Sequence, residues 1–272
     1  MTVATIATDI RRRRRVELPA VVRKALLLVV LIGVWQAYVD LTHVSHLLFA
    51  SPWQTAKAFG RGWARGQLGS PTAVTLRLLG EGVGIGAGVA LVFTVLATLS
   101  RVGEDLLELL TAIFNPLPGM AILPLAMLWF GINESAIIFT IALSTIWPIA
   151  IALSVGFRTV SPTLTAVGRT IGLSRLRLVT DVLLPAALPS AIGGVRAAWA
   201  FGWRTVIAAE LVFGVAGSRG GLGNYINNAR LYLLTPQVFA GLVTIALLGI
   251  AFELVFALLE RRTIVRWGMS RT

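Results

Sequence analysis

Ser135–Phe157 reads SAIIFTIALSTIWPIAIALSVGF, and no residue in it carries a charge. A helix over this stretch would reach about 34 Å at 1.5 Å per residue, enough to cross the hydrocarbon core of a bilayer. The same property recurs along the chain: Gly82 to Ser100, Leu109 to Asn133 and Leu231 to Phe252 are also free of charge. Two weaker candidates complete the set. Ala25 to Val39 is apolar but short, extending past Asp40 to Leu41, and Ala191 to Gly214 is interrupted by Arg196, Arg204 and Glu210. The reading is an all-α integral membrane fold of about six transmembrane helices. Composition agrees. Of 272 residues, 56% are hydrophobic and 13% are charged, against roughly 25% charged in an ordinary soluble domain. So little polar surface excludes a water-soluble globule, and the absence of cysteine excludes a disulfide scaffold.

The formal net charge is +12, from 22 Arg and 2 Lys set against 12 acidic residues. In a soluble protein that excess would point to nucleic acid; here its distribution decides. With the N-terminus inside, six spans leave both termini in the cytoplasm. Segments 1–24, 100–107, 156–189 and 259–272 then hold 16 Lys and Arg, and the outer segments 42–79 and 215–235 hold 6. This is the positive-inside bias, so the charge reads as topology and no nucleic-acid partner is expected. The Arg11 to Arg15 run fits a topology anchor, with anionic headgroup binding as the sharper alternative. No A-x-A cleavage site follows Leu41, so the first span is not read as a signal peptide. The organisation is a basic segment 1–24, a transmembrane domain 25–258 and a cytoplasmic tail 259–272.

In the outer segment, Ser51-Pro52-Trp53-Gln54 reads as a capped helix start, and Trp53 and Trp63 as interfacial anchors. His43 and His46 form an H-x-x-H pair, but two ligands rarely make a site and no metal is expected. The inner loop 156–189 is the more informative. Ser161-Pro162 caps a first helix, with Leu164, Val167 and Ile171 at helical spacing; Gly172 interrupts. Ser174 caps a second, with Leu176, Val179 and Leu183 continuing the stripe until Pro185 stops it. Such a hairpin either needs a partner for its apolar stripe or folds back onto the bundle or the lipid interface.

The residues of this loop carry a resemblance. Ala166-Val167-Gly168, then Gly172 with Leu173 after it, then Val182-x-Leu184-Pro185, resemble the EAA loop of ABC-importer permeases, whose signature runs E-A-A-x-x-x-G-x(9)-I-x-L-P. Spacing, glycine and Leu-Pro are kept. Ala166 stands where the family often has Glu, which removes a carboxylate there and leaves hydrophobic docking. The run from Asn115 to Glu134 is similar to the third-span motif of the nitrate/sulfonate/taurine-type permeases. Further likenesses are Ala208-Ala209-Glu210-Leu211, Gly220-Gly221-Leu222-Gly223 and Leu259-Glu260-Arg261-Arg262…Arg266-Trp267.

The resemblance implies a type I importer permease in a bacterial cytoplasmic (inner) membrane. Loop 156–189 would be its coupling-helix hairpin, docked on separate ABC ATPase subunits. A second permease copy would complete the pathway, and an extracytoplasmic substrate-binding protein would deliver nitrate, a sulfonate or taurine. The chain would be a transport subunit, not an enzyme, with ATP and Mg on the partner ATPase and no cofactor of its own. The lysines agree with that division. A phosphate-binding loop needs Gly-Lys-Ser/Thr, yet Lys24 follows Arg23 and Lys57 follows Ala56. The glycine-rich Gly217 to Gly223 reads as a turn. An integral membrane enzyme would need more than the sparse His43, His46 and Glu81, and a secondary carrier would show repeated halves, of which none is evident.

Candidate pathway residues come from the third and fifth spans. Asn115, Pro116, Pro118, Gly119 and Pro124 interrupt the third. Freed carbonyls in lipid are tolerated only within protein or along a wet cavity, so Asn115 to Met120 lines a pathway or forms a packing kink. In the fifth, Arg204 and Glu210 are six apart, on different helix faces. Arg204 would attract an anionic substrate or pair structurally, with Glu253 as the candidate partner. Gly80, Gly84 and Gly88 recur every four residues, a pattern expected to bring helices close.

Overall fold

The structure is a computed structural model, which describes residues 19–45, 47–213 and 220–262. The Arg11 to Arg15 run, His46, Gly217 to Arg219 and the tail beyond Arg262 lie outside the described residues. What is described is helical, without a strand.

Helix α1 spans Ala20–Thr42, longer at both ends than its apolar core. After a turn, α2 spans Pro52–Ala64. Its Ser51 cap closes a capping box: the Ser51 hydroxyl accepts from the Gln54 N–H and the Gln54 side chain accepts from the Ser51 N–H. Helix α3 spans Gly69–Thr98, α4 Arg101–Phe114, α5 Gly119–Phe130 and α6 Glu134–Thr159. A hairpin follows, formed by α7 (Pro162–Thr170), α8 (Arg175–Leu178), a π-turn (Val179–Leu183) and α9 (Leu184–Ala186). Helix α10 spans Leu188–Phe213, α11 Leu222–Leu231 and α12 Thr235–Glu260.

Four helices, α1, α3, α6 and α12, are long and apolar enough to cross a membrane; counting each bent pair as one span gives six. The bent pairs correct the uniform picture. The third span is α4 and α5 meeting at 99°, and the fifth, α10, turns 72° away from the hairpin segment Arg175–Ala186. Prolines cause the first bend. Pro116 and Pro118 have no N–H to continue the ladder, so α4 ends at Phe114 and α5 restarts after Pro118.

The core lies between α3, α6 and α10. Of the apolar window of α6, 61% is buried, against 6% for α1 and for α12, so those two stand at the periphery. Close approach of α3 to α6 corrects the glycine reading. A Cβ on Gly86 would lie 2.1 Å from the Thr145 Oγ1, and one on Gly82 2.5 Å from the Ile141 Cγ2. Gly80, Gly84 and Gly88 instead face open space. Both series have a four-residue period, and spacing alone does not say which face meets a neighbour.

Aromatic and charged contacts fix the register. Phe114 stacks on Trp147 at 5.2 Å, laying α4 on α6. Trp35 stacks on Phe239 at 5.4 Å and donates to the Ala50 carbonyl, holding α1 to α12 and to the turn before α2. At one end of α6 Glu134 pairs with Arg77 at 2.7 Å, and at the other Arg158 pairs with Glu104 at 2.9 Å. These pairs are solvent-exposed, worth up to about 1 kcal/mol each.

Candidate functional site

The hairpin between α6 and α10 is built by its caps. The Ser161 hydroxyl accepts from the Thr163 N–H, with Pro162 in the first turn. The end of α7 is a Schellman closure: the Gly172 N–H donates to the Arg169 carbonyl and the Leu173 N–H to the Gly168 carbonyl. Gly172 has φ +81°, a conformation that costs other residues about 1–2 kcal/mol. Ser174 then caps α8, its hydroxyl accepting from the Arg177 N–H. Gly168 is buried where α7 meets α8; a Cβ there would lie 2.7 Å from the Leu178 Cδ1. Leu173, Val182 and Leu184 are half-buried, while Ala166, Val167, Gly172 and Pro185 are exposed.

Pro185 does not stop the helix as its sequence position implied. It has no N–H for the carbonyl four residues back, and the chain widens into the π-turn, where the Leu184 N–H donates to the Val179 carbonyl. The turn of direction comes two residues later, at Ala187.

The apolar stripe of the hairpin divides in two. Val179 and Leu183 pack with Phe157 and Ala187 into a buried cluster against the ends of α3 and α6. The Arg175 guanidinium donates to the Leu99 carbonyl and ties the hairpin to the end of α3. Leu164, Val167, Ile171 and Leu176 stay more than half exposed, Ile171 at 69%. One side is thus anchored to the bundle and the other is apolar and uncovered. A cavity of about 450 Å³ opens beside the anchor, lined in part by Glu104, Glu108, Arg158 and Leu183.

The interruption of the third span lies across the bundle core. Gly119 sits between α6 and α10: a Cβ there would lie 2.6 Å from the Thr205 Oγ1 and 3.1 Å from the Ser144 Cβ. Asn115, Pro116, Pro118 and Met120 are exposed beside it. The break therefore has a packed side, made by Gly119, and an open side.

Arg204 and Glu210 have different environments. Arg204 is exposed on α10, and among the described residues it makes no ion pair. The structural pair with Glu253 is not formed with Arg204. Glu253 pairs instead with Arg196, which also takes Glu260 at 2.9 Å. Glu253 and Glu260 lie two turns apart on one face of α12, a spacing legible in the sequence, whereas their partner Arg196 carries no local signal of this role. Glu210 is 3% exposed and lines no open surface. It accepts from the Thr75 hydroxyl and from the Gly223 N–H at 2.9 Å, while Thr75 in turn accepts from the Leu222 N–H. Glu210 thus caps α11 and pins α3, α10 and α11 together. The glycine-rich stretch is more than a turn. A Cβ on Gly221 would lie 2.0 Å from the Glu210 Oε1, so the glycine makes room for the cap. The Ala208–Leu211 and Gly220–Gly223 stretches meet at this point.

Comparison with known proteins gives this geometry its relatives. The family model for the binding-protein-dependent transport system inner membrane component matches residues 82–265. The aliphatic sulfonates transport permease protein SsuC of Escherichia coli (strain K12) is 36% identical, over 88% of this chain and 89% of its own. The taurine transport system permease protein TauC of the same organism is 32% identical over 86% of each chain. The riboflavin transport system permease protein RibX of Chloroflexus aurantiacus is 32% identical over 99% of this chain and 98% of its own. Among solved structures, a crystal structure of an amino acid ABC transporter with histidines superposes with a TM-score of 0.57 at 18% identity. It covers 75% of this chain and 97% of that one, a likeness of fold.

Proposed function

The chain belongs to the family of binding-protein-dependent transport system inner membrane components, and on that premise we propose that two copies of it form the pathway of an ATP-driven importer. The hairpin α7–α9 docks on a separate ATPase subunit, which binds ATP and Mg. A substrate-binding protein delivers solute on the opposite side, and both termini are cytoplasmic, following the 16-to-6 distribution of Lys and Arg.

The observation that carries the coupling role is the two-sided hairpin. Leu164, Val167, Ile171 and Leu176 offer an apolar face to a partner, while Val179 and Leu183 are packed on Phe157 and Ala187. Displacement of the hairpin by a closing ATPase pair is passed through those contacts to α6 and α10. Farther along the same two helices, near the middle of α6, lies the broken third span, with Gly119 seated between Ser144 and Thr205. Movement of α6 against α10 would therefore act on the open side of that break, Asn115 to Pro118 and Met120. The substrate class proposed is a small oxyanion-bearing solute: nitrate, a sulfonate, or the zwitterionic sulfonate taurine. Arg204 supports it: among the described residues its guanidinium has no ion pair, and a charge on a spanning helix faces protein or water rather than lipid.

The test replaces exposed apolar residues of the hairpin without touching its anchor. Ile171→Asp with Leu164→Asp should lower ATPase co-purification at least tenfold and abolish substrate-stimulated ATP hydrolysis, while the permease stays folded. Unchanged coupling in that variant would refute the docking role. Uptake of a sulfonate, nitrate and riboflavin, measured side by side in proteoliposomes, identifies the substrate class.

A further inference from the structure

The two longer outer segments of the proposed topology, 42–79 and 215–235, hold six cations and no Asp or Glu, and the short outer turn between the third and fourth spans adds one carboxylate, Glu134. Three of the six follow at four-residue intervals: Lys57 and Arg61 on one face of α2, and Arg65 at its C-cap. Together with Gln67, Pro236 and Gln237 they line a cavity of about 370 Å³ between α2 and the first turn of α12. Among the described residues no carboxylate lines it. Arg77, by contrast, is held by Glu134 and Glu81, and Arg230 donates to Asn227. Among the described residues Lys57, Arg61 and Arg65 make no ion pair; Lys57 sits 4.8 Å from the centre of the Trp53 ring.

This arrangement favours an anion. Like charges one helical turn apart repel, and cations on the outer side run against the positive-inside bias. The positive end of the α12 dipole adds to the same potential. Trp53 and Trp63, 65% and 41% exposed, mark α2 as lying at the depth of lipid headgroups. Two guanidinium forks and an ammonium around a concave site match the oxygens of a phosphate or sulfonate.

We propose that the cleft formed by Lys57, Arg61, Arg65 and the first turn of α12 binds an oxyanion group at the outer membrane surface. Its source is either the phosphodiester of an anionic lipid headgroup or a free oxyanion solute. Placement on the outer side rests on the topology proposed above; the binding chemistry does not.

The experiment uses the full chain with two probes. Native mass spectrometry from nanodiscs of equal phosphatidylglycerol and phosphatidylcholine should show phosphatidylglycerol retained at least threefold over phosphatidylcholine. In neutral detergent, titration with inorganic sulfate should give a saturable change in tryptophan fluorescence. The variant Lys57→Gln, Arg61→Gln, Arg65→Gln should abolish whichever signal is present, and Arg61→Lys with Arg65→Lys should retain it, separating charge from folding. Retention alone assigns the lipid, and sulfate saturation alone assigns the free anion. No signal with either probe, or an equal one in the triple Gln variant, overturns the proposal. Gln67→Cys, placed in a chain without native cysteine, should react with an impermeant thiol reagent from outside. Failure of that labelling refutes the topology and leaves the detergent result standing.

Discussion

Removing the Glu210 carboxylate would strand two buried donors, the Gly223 N–H and the Thr75 hydroxyl. Each unsatisfied buried group costs about 1–3 kcal/mol, so Glu210→Ala should destabilise the fold by about 3 kcal/mol. Glu210→Gln keeps one carbonyl oxygen, which can accept from both the Gly223 N–H and the Thr75 hydroxyl, and should cost less than half as much. Thermal unfolding in detergent checks the order, and equal losses in the two variants would refute the capping role. The sequence placed this carboxylate in an apolar helix and marked it as a charge to explain. It could not supply the partners, because Thr75 lies 135 residues away and the α11 N-terminus is reached only through folding. Residue type was legible here, and environment was not. Arg196 makes the same point: its two partners share one face of α12, but only packing brings α10 beside them.

Elements were legible where a local rule governs them. The Ser51, Ser161 and Ser174 caps and the Gly172 closure depend on neighbours within a few residues, and they form as the sequence implies. Elements governed by distant packing read less well. The glycine face of α3 was displaced by two residues, and Pro185 widened a turn instead of ending it. The broken third span lies between these cases. Its prolines announce a break, while the 99° angle depends on Gly119 fitting between Ser144 and Thr205. If the open side of that break lines the pathway, Asn115→Cys and Met120→Cys should react with a water-soluble thiol reagent in the assembled importer. Their rates should differ at least tenfold between the nucleotide-free state and a state trapped with ATP and vanadate. No reaction in either state would leave the break as a packing kink.

At the scale of the whole molecule, the unresolved charge is Arg204. Among the described residues, the other arginines of α3, α6 and α10, namely Arg77, Arg158 and Arg196, all meet carboxylates. Arg204 does not, although it adjoins Thr205, against which the broken span is packed. Exposure of a guanidinium on a spanning helix costs several kcal/mol in lipid. Its place is therefore decided by what the bundle meets in the assembly: a wet pathway or a second copy. The outer segments, with six cations against the single carboxylate of Glu134, would raise the local concentration of an anion before it reaches that helix. Under the pathway reading, Arg204→Gln should leave the permease dimer and ATPase capture intact while anion uptake falls at least tenfold, about 1.4 kcal/mol. Arg204→Lys, which keeps the charge but loses the fork, should fall between. Uptake should also decline with ionic strength in the parent and less steeply in the Gln variant. Intact transport with weakened dimer recovery would instead place Arg204 at the contact between copies, its carboxylate partner supplied by the second chain.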